Sequence, residues 1–225
     1  MRLAKNREAI GYLSLVFMLA AIYMVFIYAP PDKNLGDIQR IFYFHVSSAW
    51  IAFLAFFLVF VASILYLKNR SRRWDILAHS SAEIGVILTT LVLITGPIWA
   101  RPIWYTWWTW DIRLTTTLVL WLIYVAYLML RSYSEGSRGA RFAAVFAILG
   151  FLDVPIVFMS IRWWRTQHPG PVIGGGGEAG LATPMLYTLF VSLAAFTLLF
   201  IYLLLLRTKL ETIEDEIDHL KRGGH

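Results

Sequence analysis

Residues 41–67 read IFYFHVSSAWIAFLAFFLVFVASILYL, an apolar stretch with one histidine and no aspartate, glutamate, lysine or arginine. A helix of about 20 apolar residues is long enough to cross the roughly 30 Å hydrocarbon core of a bilayer. The stretch therefore predicts a membrane-spanning helix. Five further stretches of the chain are long and apolar enough for the same prediction.

The six predicted spans are 9–29, 41–67, 79–98, 114–131, 141–163 and 184–207. The chain has 225 residues, of which 59% are hydrophobic and 15% are charged, whereas soluble domains are close to half apolar. A basic start precedes the first span, but no small-residue cleavage site follows it, so we expect this helix to be retained. The fold class predicted is an all-α integral membrane protein, with a six-helix domain over 1–207 and a tail over 208–225.

The lysines and arginines predict the orientation of the bundle. Fourteen of the 20 lie in the N-terminus, the 68–75 and 131–141 loops and the tail from Arg207. Cytoplasmic loops carry this excess, so both termini are predicted in the cytoplasm and the 30–40, 99–113 and 162–183 loops outside. The net charge of +6 therefore reflects membrane topology, and no nucleic-acid partner is expected.

Absent residues and motifs exclude several kinds of chemistry. The sequence has no cysteine, which excludes disulfides, thiolate metal sites and covalent haem attachment through C-x-x-C-H. It has no Walker A motif, so any work driven by ATP requires another subunit. The Gly174–Gly177 run lacks the Gly-Lys-Ser/Thr of a phosphate-binding loop and is interpreted as part of a flexible outer loop.

The tail has its own periodicity. Leu210, Ile213, Ile217 and Leu220 follow 3-4-3 spacing, which predicts an amphipathic helix over 207–222. Two interpretations stay open: this helix lies along the bundle or the lipid headgroups, or it docks to a cytoplasmic partner.

Tryptophans are concentrated in one outer loop, predicted at 99–115. Five of the ten lie within twelve residues of each other: Trp99, Trp104, Trp107, Trp108 and Trp110. An interfacial aromatic belt accounts for isolated cases such as Trp50, but poorly for such a cluster. Burying one indole is worth about 2–3 kcal/mol, so the cluster predicts a platform for a large, flat, apolar ligand. Arg101, Asp111 and Arg113 accompany it, and cations there suit a ligand with carboxylates.

Two of the five histidines, His45 and His168, are predicted on the same outer side as this platform. A lone histidine at a membrane interface is usually a polar anchor. Here two histidines lie on the same side as a tryptophan platform, and no cluster of acids or thiols accompanies them to suggest zinc. Because imidazole binds haem iron, this combination favours a role as haem ligands.

Residues 104–115 read WYTWWTWDIRLT and resemble the tryptophan-rich WWD motif of haem-handling proteins. The whole chain resembles one family of these, haem exporter protein C (CcmC). The likeness extends to Arg40–His45, Thr95-Gly96, Val154-Pro155-Ile156 and Trp163-Trp164. Three residues depart from it: Ala100 and Tyr105 stand where glycine or small residues are expected, and Ser47 stands where proline is common.

The resemblance implies a set of roles. His45 and His168 would be the axial ligands of a non-covalent haem b, the tryptophans with Asp111 would form its platform, and Arg101, Arg113 or Arg165 would meet its propionates. The resemblance also implies a place in the bacterial inner membrane, with the haem site facing the periplasm. The expected partners are the subunits of an ATP-binding cassette complex, membrane lipid and a periplasmic haem chaperone, which receives the haem for c-type cytochrome biogenesis. The task implied is transfer and not catalysis.

Two other functions are each compatible with part of the sequence. A membrane cytochrome b normally carries histidine pairs at membrane depth, whereas both outer histidines here lie at span ends. A solute permease would have Asp153 as its polar lining, since a carboxylate near mid-membrane is costly and often functional, but this leaves the tryptophans unexplained. Asp153 therefore has a structural and a functional interpretation, and Glu83, near the cytoplasmic end, is interpreted as structural.

Overall fold

The computed structural model describes residues 2–133, 136–170 and 181–223. Its α-helices are α1 (Arg2–Tyr23), α2 (Ile41–Asn69), α3 (Arg72–Trp104), α4 (Ile112–Tyr133), α5 (Gly136–Gly150), α6 (Asp153–Trp163) and α7 (Thr183–Gly223). A π-helix, Met24–Tyr28, extends α1, and a 3-10 helix, Asp37–Arg40, precedes α2. Within the described residues no strand is present beyond one isolated bridge, Asp32–Gly36. The Gly174–Gly177 run lies outside the described part of the chain.

Six segments are long and apolar enough to cross a membrane, which confirms the predicted all-α architecture. They are Arg7–Tyr28, Asp37–Asn69, Arg72–Trp104, Ile112–Tyr133, Arg138–Trp163 and Thr183–Asp218. The fifth consists of α5 and α6 in succession, and each of the others contains one of the remaining α-helices.

Helix α2 lies at the centre of the bundle and packs against α3, α5 and α7. Small residues allow the close contact with α3: a Cβ on Gly85 would lie 2.7 Å from Cε1 of Phe56, which real side chains do not tolerate. On its other face Phe56 stacks on Tyr124 of α4, with ring centroids 3.9 Å apart. The contact of these rings joins α2, α3 and α4 into one apolar core.

Helix α3 is longer than the sequence predicted. The predicted end of the third span at residue 98 is wrong, because the helix continues through Pro97 and Pro102 to Trp104. Each proline removes one backbone donor, a loss that membrane helices tolerate when neighbouring groups satisfy the freed carbonyls. The helix ends at Tyr105, which has a left-handed backbone with φ 59°. Trp99, Arg101 and Trp104 therefore belong to a helix and not to a loop.

The fifth span is broken between α5 and α6. Pro155 has no N–H to donate to the carbonyl four residues earlier. The N–H of the preceding residue, Val154, donates to the carbonyl of Phe151, only three residues earlier, at 3.0 Å. A Cβ on Gly150 would lie 2.5 Å from Cγ2 of Ile123, so the break lies tightly against α4. Beyond it the span changes neighbours: α5 packs on both α2 and α4, whereas α6 packs mainly on α4.

Charged side chains join α3, α4 and α7 at the predicted cytoplasmic end. Buried Asp75 accepts hydrogen bonds from Arg72 and, at 2.5 Å, from Arg131. Buried Glu211 accepts from His79 Nδ1 at 2.9 Å and lies 3.8 Å from both arginines. We call this group the ion-pair belt; it also includes the pair of Glu83 with Arg207, at 2.5 Å.

The tail is helical, as its periodicity predicted, but it is the direct continuation of α7. Its bundle-facing side is charged, since Glu211 is buried and Asp215 accepts two hydrogen bonds from Arg72, at 2.5 and 2.7 Å. The apolar stripe faces away, with 37% to 77% of each side chain exposed: Leu210, Ile213, Ile217 and Leu220. The tail contacts the bundle through ion pairs and not through its apolar stripe.

Candidate functional site

A pocket opens at the predicted outer end of the bundle, between α2, α3, α4 and α6. It encloses about 1010 Å³, including open space at its mouth. Seven of the residues that line it carry an aromatic ring or a charge: His45, Phe53, Trp99, Trp104, Trp108, Arg113 and His168. Towards mid-membrane its lining is mostly apolar, and includes Ala52, Val92 and Leu120.

Both predicted histidines lie in this pocket, and they face each other. His45 is in the second turn of α2 and is buried, while His168 lies in the segment that follows α6. Their ring centroids are 6.5 Å apart, and the ring planes differ by 34°. Residues 123 positions apart in the sequence are thus brought to opposite sides of one narrow gap.

Hydrogen bonds define which nitrogen of each ring is free. His45 Nδ1 lies 2.9 Å from Thr95 Oγ1, and that hydroxyl donates its own hydrogen to the carbonyl of Leu91 at 2.7 Å. Thr95 therefore accepts from His45 Nδ1–H. His168 Nδ1 lies 2.9 Å from the carbonyl oxygen of Pro169, which can only accept. In both rings Nδ1 carries the hydrogen, so Nε2 has a free lone pair.

The gap between the rings suits one metal ion. A metal–imidazole bond of about 2 Å on each side, with each nitrogen about 1 Å from its ring centre, sets the centroids roughly 6 Å apart. The 6.5 Å found is close to that separation. Among the described residues there is no group of three or more histidine, aspartate or glutamate side chains placed for an ion.

The structure divides the predicted tryptophan platform. Trp99, Trp104 and Trp108 line the pocket, and the Trp99 ring lies 6.1 Å from that of His45 between centroids. Trp107 and Trp110 point outward, with 58% and 77% of their surface exposed. Three of the five indoles are thus brought to the histidine pair.

The three predicted arginines also separate. Arg113 lines the pocket and donates to the carbonyls of Val157 and Phe158. Arg101 donates to the carbonyl of Tyr105 at 2.8 Å and lies 5.9 Å from the Trp107 ring centre. Arg165 is exposed. Of the three side chains, that of Arg113 contacts the cavity.

Asp111 does not contribute a wall to the platform; it holds the histidine segment. Its carboxylate accepts hydrogen bonds from Thr166 Oγ1 at 2.7 Å and from the backbone N–H groups of Gln167 and Arg113, each at 2.9 Å. Burial alone would raise the pKa of Asp111, but these three hydrogen bonds outweigh it and lower the pKa below its usual value. The ionised carboxylate joins the start of α4 to the residues just before His168.

His168 is kept neutral by its surroundings. Burial, followed by the charge of Arg113, lowers the pKa of His168 to about 4. Its ring is therefore uncharged at neutral pH, which is the form that binds metals.

Sequence patterns pointed to both histidines but not to the groups that orient them. Thr95 belongs to the family likeness, and nothing in the local sequence marks Thr166. Their contacts join residues 50 and 55 positions apart, so no local spacing could have indicated them.

The sequence was compared with known proteins. Residues 2–222 match the family described as heme exporter protein C. Heme exporter protein C of Bradyrhizobium diazoefficiens is 37% identical over 195 residues, which cover 86% of this chain and 74% of that protein. The protein of the same name from Haemophilus influenzae is 32% identical over 207 residues, covering 92% and 84%. A cytochrome c biosynthesis ccmC-like mitochondrial protein of Marchantia polymorpha is 34% identical over 176 residues, covering 78% and 75%.

Proposed function

Because the chain belongs to the heme exporter protein C family, we propose that it binds haem b non-covalently in the pocket and presents it for transfer. The family is one of haem-handling membrane proteins that act in cytochrome c maturation. The six apolar helices agree with a multi-pass membrane protein. His45 and His168 bind the iron from opposite faces in this proposal.

One observation carries the proposal: two imidazole rings lie 6.5 Å apart between centroids in one pocket, each with Nδ1–H engaged and Nε2 free. Such outer hydrogen bonds fix the orientation of metal-bound histidines. The gap adjoins indole rings and an apolar cavity, which suit a flat macrocycle. A haem iron arrives with four nitrogen ligands of its own, so it needs only these two from the protein.

The polarity of the pocket suggests how haem is oriented. Along α2 the cavity runs from His45 to Phe53, a rise of about 12 Å, and its lining becomes apolar in that direction. Arg113 lies beside the histidines, and its hydrogen-bond partners are carbonyls, which carry no net charge. We assign the apolar edge of haem to the deep end, and a propionate to Arg113 in preference to Arg101 or Arg165.

The partners follow from the site and the family. We place the chain in the bacterial inner membrane with the pocket facing the periplasm, where a haem chaperone collects the cargo. The sequence has no nucleotide-binding motif, so the ATP-dependent step belongs to other subunits of an ATP-binding cassette complex. The exposed Trp107 and Trp110 lie beside the mouth of the pocket, where the acceptor would approach.

The ligand assignment is tested by spectroscopy of the protein purified from haem-replete cells. The wild-type protein is expected to have a low-spin, six-coordinate Soret spectrum. His45→Gly and His168→Gly should each convert it to a high-spin form, and added imidazole should restore the low-spin form by filling the space left by the ring. A low-spin spectrum that survives the double variant without imidazole would contradict the assignment.

Transfer is tested separately, by mixing the haem-loaded protein with the apo form of the periplasmic chaperone. Haem should move to the chaperone, measured after the two proteins are separated. Retention of all haem by the membrane protein, with its ATP-binding cassette partners and ATP present, would argue for storage and against presentation.

A further inference from the structure

The wall of the pocket between α2 and α6 is thin. Ala49 and Phe53 of α2 and Val157 of α6 line the cavity, while their neighbours Trp50 and Phe158 are 49% and 38% exposed on the outside of the bundle. The Phe158 ring contacts both Trp50 and Phe53, with centroids 6.0 and 6.4 Å apart. We call these three rings, Trp50, Phe53 and Phe158, the aromatic seam. At this point one layer of rings separates the cavity from the lipid-facing surface.

The ring contacts change along the interface between α2 and the fifth span. At the break in the fifth span, Phe60 stacks on Phe151, with centroids 4.5 Å apart and planes 20° from parallel. Beside the cavity, the contacts of Phe158 with Trp50 and Phe53 are edge-on, with planes at 74° and 81°. Edge contacts are favourable but involve no hydrogen bond, so a ring can rotate out of them without leaving a buried polar group unpaired.

Helix α6 is held on the side away from the seam. Arg113 of α4 donates to the carbonyls of Val157 and Phe158, and α6 packs mainly on α4. The break at 151–152 separates α6 from α5, which stays packed on α2. The contacts of the Phe158 ring with Trp50 and Phe53 thus close the space between α2 and α6. The break between α5 and α6 provides a hinge about which α6 can move.

A different passage, between α3 and α4, is closed by a stronger contact. Trp121 Nε1 of α4 donates to Thr90 Oγ1 of α3 at 2.8 Å, one turn below the cavity residue Leu93. Opening there would break a hydrogen bond in an apolar environment, which costs more than separating two ring edges. This comparison favours the seam between α2 and α6.

We propose that the aromatic seam is a lateral gate, through which haem passes between the half of the bilayer nearer His45 and the pocket. This proposal rests on haem being the cargo. A flat apolar molecule dissolved in lipid would enter edge-first between Trp50 and Phe158, and meet the iron-binding imidazoles about 8 Å, or five residues of α2, further towards the mouth. Arg162, whose guanidinium lies 5.4 Å from the Phe158 ring centre, is placed at the outer edge of this gate to attract the propionates.

A crosslink tests the gate, because the natural sequence has no cysteine to interfere. Apoprotein carrying Trp50→Cys and Phe158→Cys is joined by a short, reducible thiol crosslinker in phospholipid vesicles that contain ferric haem b. The growth of the Soret band is expected to slow strongly, because the motion of a gate then limits entry, and to recover on reduction. The matched control, Tyr66→Cys with Ala144→Cys, joins the same two spans at their predicted cytoplasmic ends, away from the gate and its hinge, and should leave uptake unchanged.

The outcomes separate the two proposals. Equal uptake with and without the Trp50–Phe158 crosslink would overturn the gate and leave haem binding by His45 and His168 intact. If the uncrosslinked protein acquires no Soret band, the proposed function itself fails. A second variant avoids crosslinking: Phe158→Ala should speed both uptake and release with an unchanged spectrum, because it removes the ring that closes the gate. Phe142→Ala, exposed on α5, should change neither rate. Unchanged rates in Phe158→Ala would also contradict the gate.

Discussion

Thr95 fixes the tautomer of a ring that lies 50 residues away in the sequence. Its hydroxyl donates to Leu91 and accepts from His45, so the free lone pair of His45 is on Nε2. The neighbouring Gly96 is not needed for this arrangement, since a Cβ there would lie 3.5 Å from Cε1 of His45, at ordinary contact distance. The chemistry of the histidine thus depends on a threonine that binds no metal.

Thr95→Val is therefore expected to weaken haem binding without abolishing it. The variant keeps the shape of the side chain but removes the acceptor for His45 Nδ1–H, and the loss of such an outer contact costs about 10- to 100-fold in metal affinity. Haem titration followed by the Soret band measures the change. Thr95→Ser, which retains the hydroxyl, is the control; equal weakening in both variants would contradict the role of the hydrogen bond.

At this scale the sequence predicted types of residue and not their orientation. His45 and His168 were predicted because imidazoles on one face beside indoles are an unusual combination, and the structure brings them together. Trp107, Trp110, Arg101 and Arg165 were predicted with equal weight but lie outside the cavity. Composition of a segment does not define which way each side chain points.

At the scale of elements, apolar length predicted the six spans because a bilayer imposes that length. It did not predict where α3 ends, since prolines that stop helices in water can be accommodated next to a membrane. Tyr105 ends that helix with a positive φ, at a position where the family likeness led us to expect glycine or a small residue. An L-residue pays about 1–2 kcal/mol for this conformation, a cost that the hydrogen bond from Arg101 to its carbonyl offsets in part.

The segment that carries His168 is held by one carboxylate. Asp111→Ala removes three hydrogen bonds, so we expect His168 to lose its position while His45 still binds iron. The variant should contain a mixture of high-spin and low-spin haem, which magnetic circular dichroism or absorption spectra can measure. Gln167→Ala is the control, since its backbone N–H still reaches Asp111; a fully low-spin Asp111→Ala protein would count against this role.

Across the whole molecule, the ion-pair belt and the pocket lie at opposite ends of the same helices. Helix α3 carries Asp75, His79 and Glu83 at one end, and Thr95 and Trp99 at the other. Glu83, interpreted from the sequence as structural, pairs with Arg207. The rest of the belt was not predicted, because all its contacts except the local ones within α3 join residues 56 to 143 positions apart.

The belt should contribute measurably to stability. In Asp75→Asn the buried partner of Arg72 and Arg131 loses its charge, and removing one partner of a buried ion pair costs about 3–5 kcal/mol. Thermal or SDS-induced unfolding of the purified protein measures this loss. Glu214→Gln is the control: the Glu214 side chain is 67% exposed and 3.7 Å from Arg207, so its effect should be below about 1 kcal/mol. Equal stability of the two variants would contradict the assignment.

Helix α7 runs for 41 residues without a break, a length of about 60 Å. Glu211 and Asp215 attach it to the belt at one end, and Met185 and Leu189 pack beside Phe42 and Tyr43, just before His45, at the other. The helix is thus attached to the rest of the bundle near both of its ends, so a rotation at one end is expected to be transmitted to the other. A spectroscopic label on the cytoplasmic turns of α7 would therefore report the rotation of the helix surface that packs beside the pocket.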